Sequence, residues 1–261
     1  MTRFLIVTAD DVGLDRGMTE GALRAHRDGI VTACSLVATG AAFDDAVERL
    51  RDTPSIEVGV HLTLVEEEPL TVIRCPRKFT TFVPLYLLGL IPLAAIEREL
   101  RAQVERVVAT GLRVTHLNGH QHLHLLPGIF EIVTRIAFDH QIPYVRIVDD
   151  APHGGIGFAR RIGIASLSAL GRRARRTGLT NDRTVGVGAA GELREVVALL
   201  DHVEGVTELV THPGIGVRGY PRWGYDWEGE TTALCDPRLR QELAIRGIEL
   251  TTPSHAARAV R

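Results

Sequence analysis

Short apolar runs of strand length alternate with amphipathic helical segments along most of the chain. The strand candidates are residues 4–8, 30–37, 56–64, 114–117, 144–147 and 206–211, and the helix candidates are residues 19–27, 43–51, 93–108, 128–138 and 192–200. Helices placed between successive strands predict a mostly parallel sheet, and the number of units predicts an α/β fold of the distorted TIM-like (β/α) barrel type. We expect one domain over residues 1–261, because a chain of this length can bury a single large core.

The charge balance and the cysteine spacing limit which binding partners and which cellular compartment we expect for this protein. The 30 Lys and Arg against 32 Asp and Glu leave no basic excess, so we do not expect a nucleic-acid partner. Cys34, Cys75 and Cys235 are far apart and lack a CxxC spacing, which argues against a disulfide framework or a thiolate zinc site. Asp10 and Asp11 fall where a secretory signal still needs an apolar stretch, and we therefore expect a cytoplasmic protein.

One apolar segment, residues 82–96, stands out from this pattern. It is broken only by Pro84, Gly89 and Pro92, and it is shorter than the roughly 20 apolar residues that a membrane span requires. One interpretation is a buried loop that leads into the following helix. The other is an exposed apolar lip that contacts a membrane peripherally or receives a lipid-linked substrate.

Polar side chains follow four of the predicted strands at the point where each strand ends. Because the active groups of parallel α/β barrels collect at the C-terminal ends of the strands, we expect these side chains to meet at one mouth. They are Asp10 and Asp11 after the first strand, His61 late in the third, His120, His122 and His124 after the fourth, and His212 after residues 206–211.

The histidine cluster is the strongest single signal. His120, His122 and His124 recur at every second position, which puts several imidazoles on one side of an extended segment. Burying three imidazoles without a shared partner is costly, so they indicate a centre for one divalent cation. Imidazole and carboxylate together accept Mg, Zn, Ni, Co or Mn, and the pattern does not select which histidine of the three is the ligand. His116 is more typical of a core residue or of a partner to a ligand.

The remaining candidates each have a structural alternative. Asp10 and Asp11 are compatible with a helix N-cap, or with a division of labour in which one carboxylate binds the cation and the other takes a proton from water. His61 and His212, taken singly, fit ordinary strand and turn positions as well as a site. The segment 223–227 reads Trp-Gly-Tyr-Asp-Trp and fits either a sugar-stacking platform or a packed hairpin.

Four segments of the chain carry a resemblance to a known family. They are TADDVG (8–13), GVHLTLV (59–65), THLNGHQHLHLLP (115–127) and ELVTHPG (208–214). In these segments the chain resembles the YdjC-like carbohydrate deacetylases, the family that includes diacetylchitobiose deacetylase and the deacetylase associated with hopanoid biosynthesis. Many relatives carry Asp where this chain has Asn118, and the residues around the histidines look closer to the hopanoid-associated branch.

The resemblance implies a metal-dependent hydrolase that removes the N-acetyl group from an acetylated amino sugar, such as a hopanoid-linked N-acetylglucosamine, and releases acetate. It also implies three kinds of site residue. They are Asp11, His61 and His124 as ligands of one divalent metal ion, Asp10 as the catalytic base with His212 protonating the leaving amine, and His122 and Arg146 as contacts to the substrate.

Two other classes of function stay open at this point. Two His and one carboxylate also describe the facial triad of non-haem iron oxygenases, although that triad usually combines a close His-x-Asp pair with a distant His. A non-catalytic metal-binding or sugar-binding protein would keep the ligands, although it has no need of Asp10 and His212. The sequence does not fix the oligomeric state, and it is compatible with a homodimer.

Overall fold

The computed structural model describes residues 3–150, 158–174 and 180–259, and in these ranges eight strands alternate with ten helices. The strands are β1 (Arg3–Val12), β2 (Ala33–Leu36), β3 (Glu57–Leu62), β4 (Val114–Gly119), β5 (Tyr144–Val145), β6 (Arg183–Val185), β7 (Val206–Thr211) and β8 (Ile248–Leu250). The helices are α1 (Arg16–Asp28), α2 (Phe43–Arg51), α3 (Phe79–Leu87), α4 (Leu93–Val108), α5 (Ile129–Asp139), α6 (Phe158–Ala174), α7 (Val196–Leu200), α8 (Trp227–Leu234), α9 (Arg238–Ile245) and α10 (Pro253–Ala259).

The strands form one parallel sheet with the order β5-β4-β3-β2-β1-β7-β6, and β8 pairs with β1 outside this path. Strand β1 is central, because β7 pairs with one edge along residues 4–9. On the other edge, β8 pairs with residues 3–5 and β2 with residues 8–12. The predicted α/β fold with a curled, parallel, distorted TIM-like barrel sheet is confirmed.

The two ends of the sheet, β5 and β6, are joined by the side chain of Asn181. Its Oδ1 accepts the Ile147 N–H at 2.9 Å, and its Nδ2 donates to the carbonyl oxygen of Arg183 at 2.6 Å. The Thr184 N–H also donates to the carbonyl oxygen of Asp149 at 3.2 Å. These bonds satisfy backbone groups at two strand ends and keep the sheet curled around the mouth of the barrel.

Local sequence explains the best-predicted elements. Leu5, Ile6 and Val7 of β1 are all fully buried, as expected for a parallel strand covered on both faces. Helix α4 follows Pro92 and buries the stripe that contains Leu100, which joins the main core cluster beneath the sheet. The N-cap of α1 is Asp15, whose Oδ1 accepts the Gly17 N–H at 2.7 Å. Asp10 and Asp11 lie within β1 instead, so the N-cap interpretation of that pair is wrong.

Two expectations about local structure need correction. The histidine segment is not extended, because β4 ends at Gly119 and residues 120–125 form a 3-10 turn in which Gln121 and His122 are left-handed, with φ of 49° and 56°. The predicted arrangement, with His120, His122 and His124 on one side of an extended segment, is therefore wrong. Helix α7 begins at Val196, four residues later than the pattern predicted.

The apolar segment 82–96 divides between the two interpretations made from the sequence. Its first part belongs to α3, where Phe82 is fully buried, and its last part begins α4. Leu87 at the end of α3 and Leu88 and Leu90 in the following turn are exposed, with Leu88 at 71%. The segment therefore presents an apolar surface as well as core contacts. The described residues contain no helix that is long and apolar enough to cross a membrane.

We expect Leu100→Ala to lower the free energy of unfolding by about 2–5 kcal/mol, because it leaves a cavity under α4 where Leu100 is 1% exposed. Leu88→Ala removes the same atoms from an exposed position and is expected to cost less than about 0.5 kcal/mol. Urea denaturation followed by circular dichroism measures both. Equal losses in the two variants would contradict the described packing.

Candidate metal centre

The two adjacent aspartates reach the same site because β1 is irregular where they lie. Successive side chains of a regular strand point to opposite faces. The register between β1 and β2 shifts between Ala9 and Val12, and Asp11 has a left-handed φ of 64°. A bulge of this kind re-aims a side chain next to an active site. Both Asp10 and Asp11 are consequently buried at the C-terminal end of the central strand, and both line the same cavity.

Asp11, His61 and His120 form the cluster that could hold a metal ion. One ligand atom from each lies within 4.8 Å of the others, and all three side chains are buried. The Asp11 Oδ1 is 3.3 Å from His61 Nε2 and 3.2 Å from His120 Nδ1. Burial raises the pKa of Asp11, but the hydrogen bonds from His120 and His61 outweigh it and hold that pKa well below its usual range.

The other ring nitrogens of both histidines face oxygen acceptors. His61 Nδ1 is 2.7 Å from the Oδ1 of Asn118, and His120 Nε2 is 3.3 Å from the Oε2 of Glu66. With a cation bound, a proton on each of these nitrogens would leave His61 Nε2 and His120 Nδ1 free to donate lone pairs to it in place of their hydrogen bonds to Asp11. This is the arrangement in which histidines ligate metals, with the second nitrogen donating to a carboxylate or carbonyl. The donor set therefore fits a divalent cation.

Asp10 is held by a different set of partners. Arg146 Nη2 donates to its Oδ1 at 2.9 Å, and Asn118 Nδ2 donates to the same oxygen at 3.0 Å. Arg146 also bonds to the buried Glu208, at 2.9 Å from its Nε to Oε1. Burial raises the pKa of Asp10, but the charge of Arg146 outweighs it and holds that pKa well below its usual range. The lowered pKa keeps Asp10 ionised at neutral pH, and its Oδ1 lies 3.9 Å from the Nδ1 of His61, just outside the group of convergent ligand atoms.

Asn118 joins the two halves of the site, since its carbonyl oxygen faces His61 and its amide faces Asp10. An amide can make both contacts at once, because it offers an acceptor and a donor. A carboxylate at this position would place a second negative charge beside Asp10. The amide of Asn118 instead keeps an oxygen toward His61 and turns a donor toward Asp10.

The structure separates the three histidines of the cluster. His120 lies beside Asp11 and His61, whereas the Nε2 of His124 is 2.9 Å from the carbonyl oxygen of Arg146 and His124 is outside the group of convergent ligand atoms. His122 lines the cavity. Its Nδ1 has no hydrogen-bond partner within the described ranges, and burial lowers its pKa. By convergence of ligand atoms the structure groups His120 with Asp11 and His61, whereas His124 lies outside that group and has a buried Nδ1 without a hydrogen-bond partner among the described residues.

Arg146 differs from the substrate contact that the resemblance implied. Its side chain is 0% exposed, and its guanidinium bonds to Asp10 and Glu208. The carboxyl oxygens of Glu208 also accept the hydroxyl hydrogens of Thr8 and Tyr144 at 2.6 and 2.7 Å. Arg146 therefore lies beneath Asp10 and neutralises buried carboxylates.

His212 lies at the end of β7 on the opposite side of the cavity from the histidine turn. Burial lowers its pKa, and its Nδ1 is 3.8 Å from the Oε1 of Glu230, which also accepts the His212 N–H at 2.6 Å. Burial raises the pKa of Glu230 to about 8. The ring of Tyr225 contacts that of His212 edge to face, with 5.4 Å between the ring centroids.

The cavity measures about 350 Å³ and has two chemically different sides. The polar side consists of the aspartates and histidines described above. The other side is apolar and includes Phe79 of α3 together with Ile164, Leu167 and Val187. In the aromatic segment, Tyr225 lines the cavity and Trp223 stacks on His120 at 5.3 Å between centroids. The segment therefore borders the site and is not only a packed hairpin.

A cavity lined by acidic and histidine side chains at the C-terminal ends of the strands lies where parallel α/β barrels carry their active sites. The family model described as YdjC-like protein matches residues 4–244, and the chain belongs to that family. It is 29% identical over 265 residues to a carbohydrate deacetylase of Geobacillus stearothermophilus, with 97% of each chain covered.

Two further comparisons agree with this assignment. A carbohydrate deacetylase of Brevibacillus brevis is 37% identical over 144 residues, which cover 53% of this chain and 57% of that relative. A crystal structure from Enterococcus faecalis, of a protein with a proposed role in cellobiose-phosphate cleavage, has a TM-score of 0.70. The two chains are 22% identical, and the match covers 98% of this chain and 99% of the other. The two proteins therefore share the fold.

Sequence reasoning did not identify Glu66, Glu208 or Glu230 as members of the site. Glu208 carried a usable signal, because a carboxylate inside an otherwise apolar strand needs a buried cation. Glu66 and Glu230 lie in a loop and on α8, where a glutamate is ordinary. Only the three-dimensional structure brings them to His120 and His212.

We expect Arg146→Met to lower the free energy of unfolding at neutral pH by about 3–5 kcal/mol, because Asp10 and Glu208 lose their buried cation. Without Arg146, burial raises the pKa of Asp10 above its value in the unfolded chain. The loss should therefore shrink as the pH falls and Asp10 takes up a proton. Urea denaturation at pH 7 and pH 5 measures this. The control is Arg183→Met, which breaks a surface pair with Glu204 and should cost less than about 1 kcal/mol.

Proposed function

We propose that this protein is a metal-dependent carbohydrate N-deacetylase, which removes the acetyl group from an N-acetylated amino sugar and releases acetate. The observation that carries the proposal is the shared cavity, which is lined by Asp11, Asp10 and the partly buried His212. The relatives named above, which are carbohydrate deacetylases, support the substrate class.

We propose Asp11, His61 and His120 as the residues that hold the divalent cation. Two imidazoles and one carboxylate favour a transition metal such as zinc, nickel, cobalt or manganese over magnesium. When bound, such a cation supplies Lewis acidity toward the acetyl carbonyl and the attacking water.

In the proposed reaction, Asp10 takes the proton of the attacking water. Arg146 and Asn118 orient its carboxylate by hydrogen bonds, and the charge of Arg146 keeps it ionised at neutral pH. His212 lines the same cavity and, after it has taken up a proton from solvent, donates that proton to the nitrogen of the leaving amine as the C–N bond breaks. His122 lines the same cavity with an unpartnered Nδ1 and is placed to bond to a polar group of the sugar.

For the part of the substrate beyond the sugar we propose a lipid, in line with the hopanoid-linked substrate that the resemblance implies. Phe79 lines the cavity at the start of α3, and the same helix leads to the exposed Leu87, Leu88 and Leu90. Exposed leucines at the far end of a helix whose first residue lines the cavity suit a substrate with an apolar tail. A soluble acetylated sugar gains nothing from them.

Removing a metal ligand and removing the base should have different consequences. We expect His61→Ala to abolish binding of zinc, measured by isothermal titration calorimetry, together with activity. Asp10→Asn should leave zinc bound and slow the release of acetate by about 10²- to 10⁴-fold, since it removes only the proton acceptor. The exposed His255 provides the control variant His255→Ala, which should change neither.

The assay for these variants is acetate release from diacetylchitobiose under anaerobic conditions. Hydrolysis proceeds without oxygen, whereas an iron oxygenase does not turn over. Zinc binding without acetate release from any acetylated amino sugar would favour a non-catalytic binding protein and would contradict the proposal.

We expect the double variant Leu87→Ser, Leu90→Ser to lower kcat/KM for a lipid-linked N-acetylglucosamine by about 10-fold or more, because two apolar contacts are lost. Its kcat/KM for diacetylchitobiose should not change. Ile245→Ser is the control, since Ile245 on α9 is exposed to the same extent as Leu87, at 68%. If the kcat/KM values of the double variant for both substrates equal those of the wild type, the lipid proposal is refuted.

A further inference from the structure

Glu66 contacts His120 at the ring nitrogen opposite the one that faces Asp11. Its Oε2 is 3.3 Å from His120 Nε2, and its Oε1 accepts a hydrogen bond from Gln121 Nε2 at 2.5 Å. The indole of Trp223 stacks on the His120 ring, with 22° between the ring planes. Each ring nitrogen of His120 therefore contacts a carboxylate, and one face of the ring packs on an indole.

The backbone at Glu66 is held in a conformation that a glutamate rarely adopts. Its φ is 70°, in the left-handed region, which costs a residue with a side chain free energy unless the surroundings impose it. The Glu66 N–H donates to the carbonyl oxygen of Arg77 at 2.7 Å and closes the loop between β3 and α3. Strain of this kind is typical of residues that a site requires in one position.

The loop that carries Glu66 is anchored to α4 by two buried polar side chains. Gln103 accepts the Thr63 N–H at 2.9 Å and donates to the Thr63 carbonyl oxygen at 2.7 Å. Glu99 accepts the backbone N–H of Thr71 at 2.8 Å. The loop is thus hydrogen-bonded to α4 at residues before and after Glu66, and these bonds hold the Glu66 carboxylate beside His120.

We propose that Glu66 is a positioning residue of the metal centre, which binds the Nε2–H of His120 and thereby directs the Nδ1 lone pair of His120 toward the cation. This inference rests on the proposed metal site. A ring that could rotate or carry its proton on Nδ1 would offer no lone pair there. Partners of this kind are typically worth about 10- to 100-fold in metal affinity.

The neighbouring Glu67 supplies a matched control. It lies in the same loop and has the same charge, but its Oε1 accepts the hydroxyl of Tyr220 at 2.8 Å instead of contacting a proposed ligand. A general disturbance of the loop, or a general loss of negative charge near the cavity, should affect Glu66 and Glu67 variants alike. A specific effect on His120 should appear only with Glu66.

The experiment measures the dissociation constant of zinc for the full chain by competition with a chromophoric chelator. Glu66→Ala is expected to weaken zinc binding by about 10- to 100-fold, and Glu66→Gln, which keeps an acceptor for the Nε2–H, should restore part of the loss. Glu67→Ala should bind zinc as the wild type does. Thermal unfolding of the metal-free proteins checks that each variant is folded.

The outcomes separate this inference from the proposed function. A wild-type chain that does not bind zinc would refute the metal centre and the role of Glu66 with it. Zinc binding by the wild type that is unchanged in Glu66→Ala, or equally weakened in Glu66→Ala and Glu67→Ala, would refute only the role of Glu66.

Discussion

The irregularity near the end of β1 is the constraint on which the whole site depends. In a regular strand one of the two adjacent aspartates would point away from the mouth of the barrel. The register shift and the left-handed Asp11 bring both carboxylates into the same cavity. Because β1 is paired on both edges, with β7 on one side and with β2 and β8 on the other, this strained geometry is held by the centre of the sheet.

The two aspartates then acquire different chemistry from their neighbours. Asp11 faces two imidazoles, whereas Asp10 faces the guanidinium of Arg146. A carboxylate flanked by two imidazoles is a suitable ligand set for a cation, and a carboxylate beside a fixed guanidinium stays ionised. Asn118 connects the surroundings of the two aspartates, because its amide nitrogen donates to Asp10 and its amide oxygen accepts from His61. Adjacent residues of one type thus serve as a proposed ligand and a proposed base.

Loops and turns supply the side chains of the site that the strands do not carry. The turn after β4 places His120 against Asp11 by means of two left-handed residues, and the loop after β3 brings Glu66 to the far nitrogen of the same ring. The aromatic segment covers this ring through Trp223. Rigid strands that carry Asp11 and His61, together with loops that complete the set, are the usual division in barrels whose sites lie at the C-terminal ends of the strands.

The sequence by itself determined the parallel α/β architecture, the ends of α4 and β7, and the four strand ends at which the polar residues collect, because hydrophobic periodicity and strand order are local properties. It also indicated a metal centre from residue types alone. Only the tertiary structure decided that His120 joins Asp11 and His61, that Arg146 is buried beneath Asp10, and that Glu66 and Glu230 border the site. Those outcomes depend on a strand bulge, a left-handed turn and contacts between distant segments, which local periodicity does not encode.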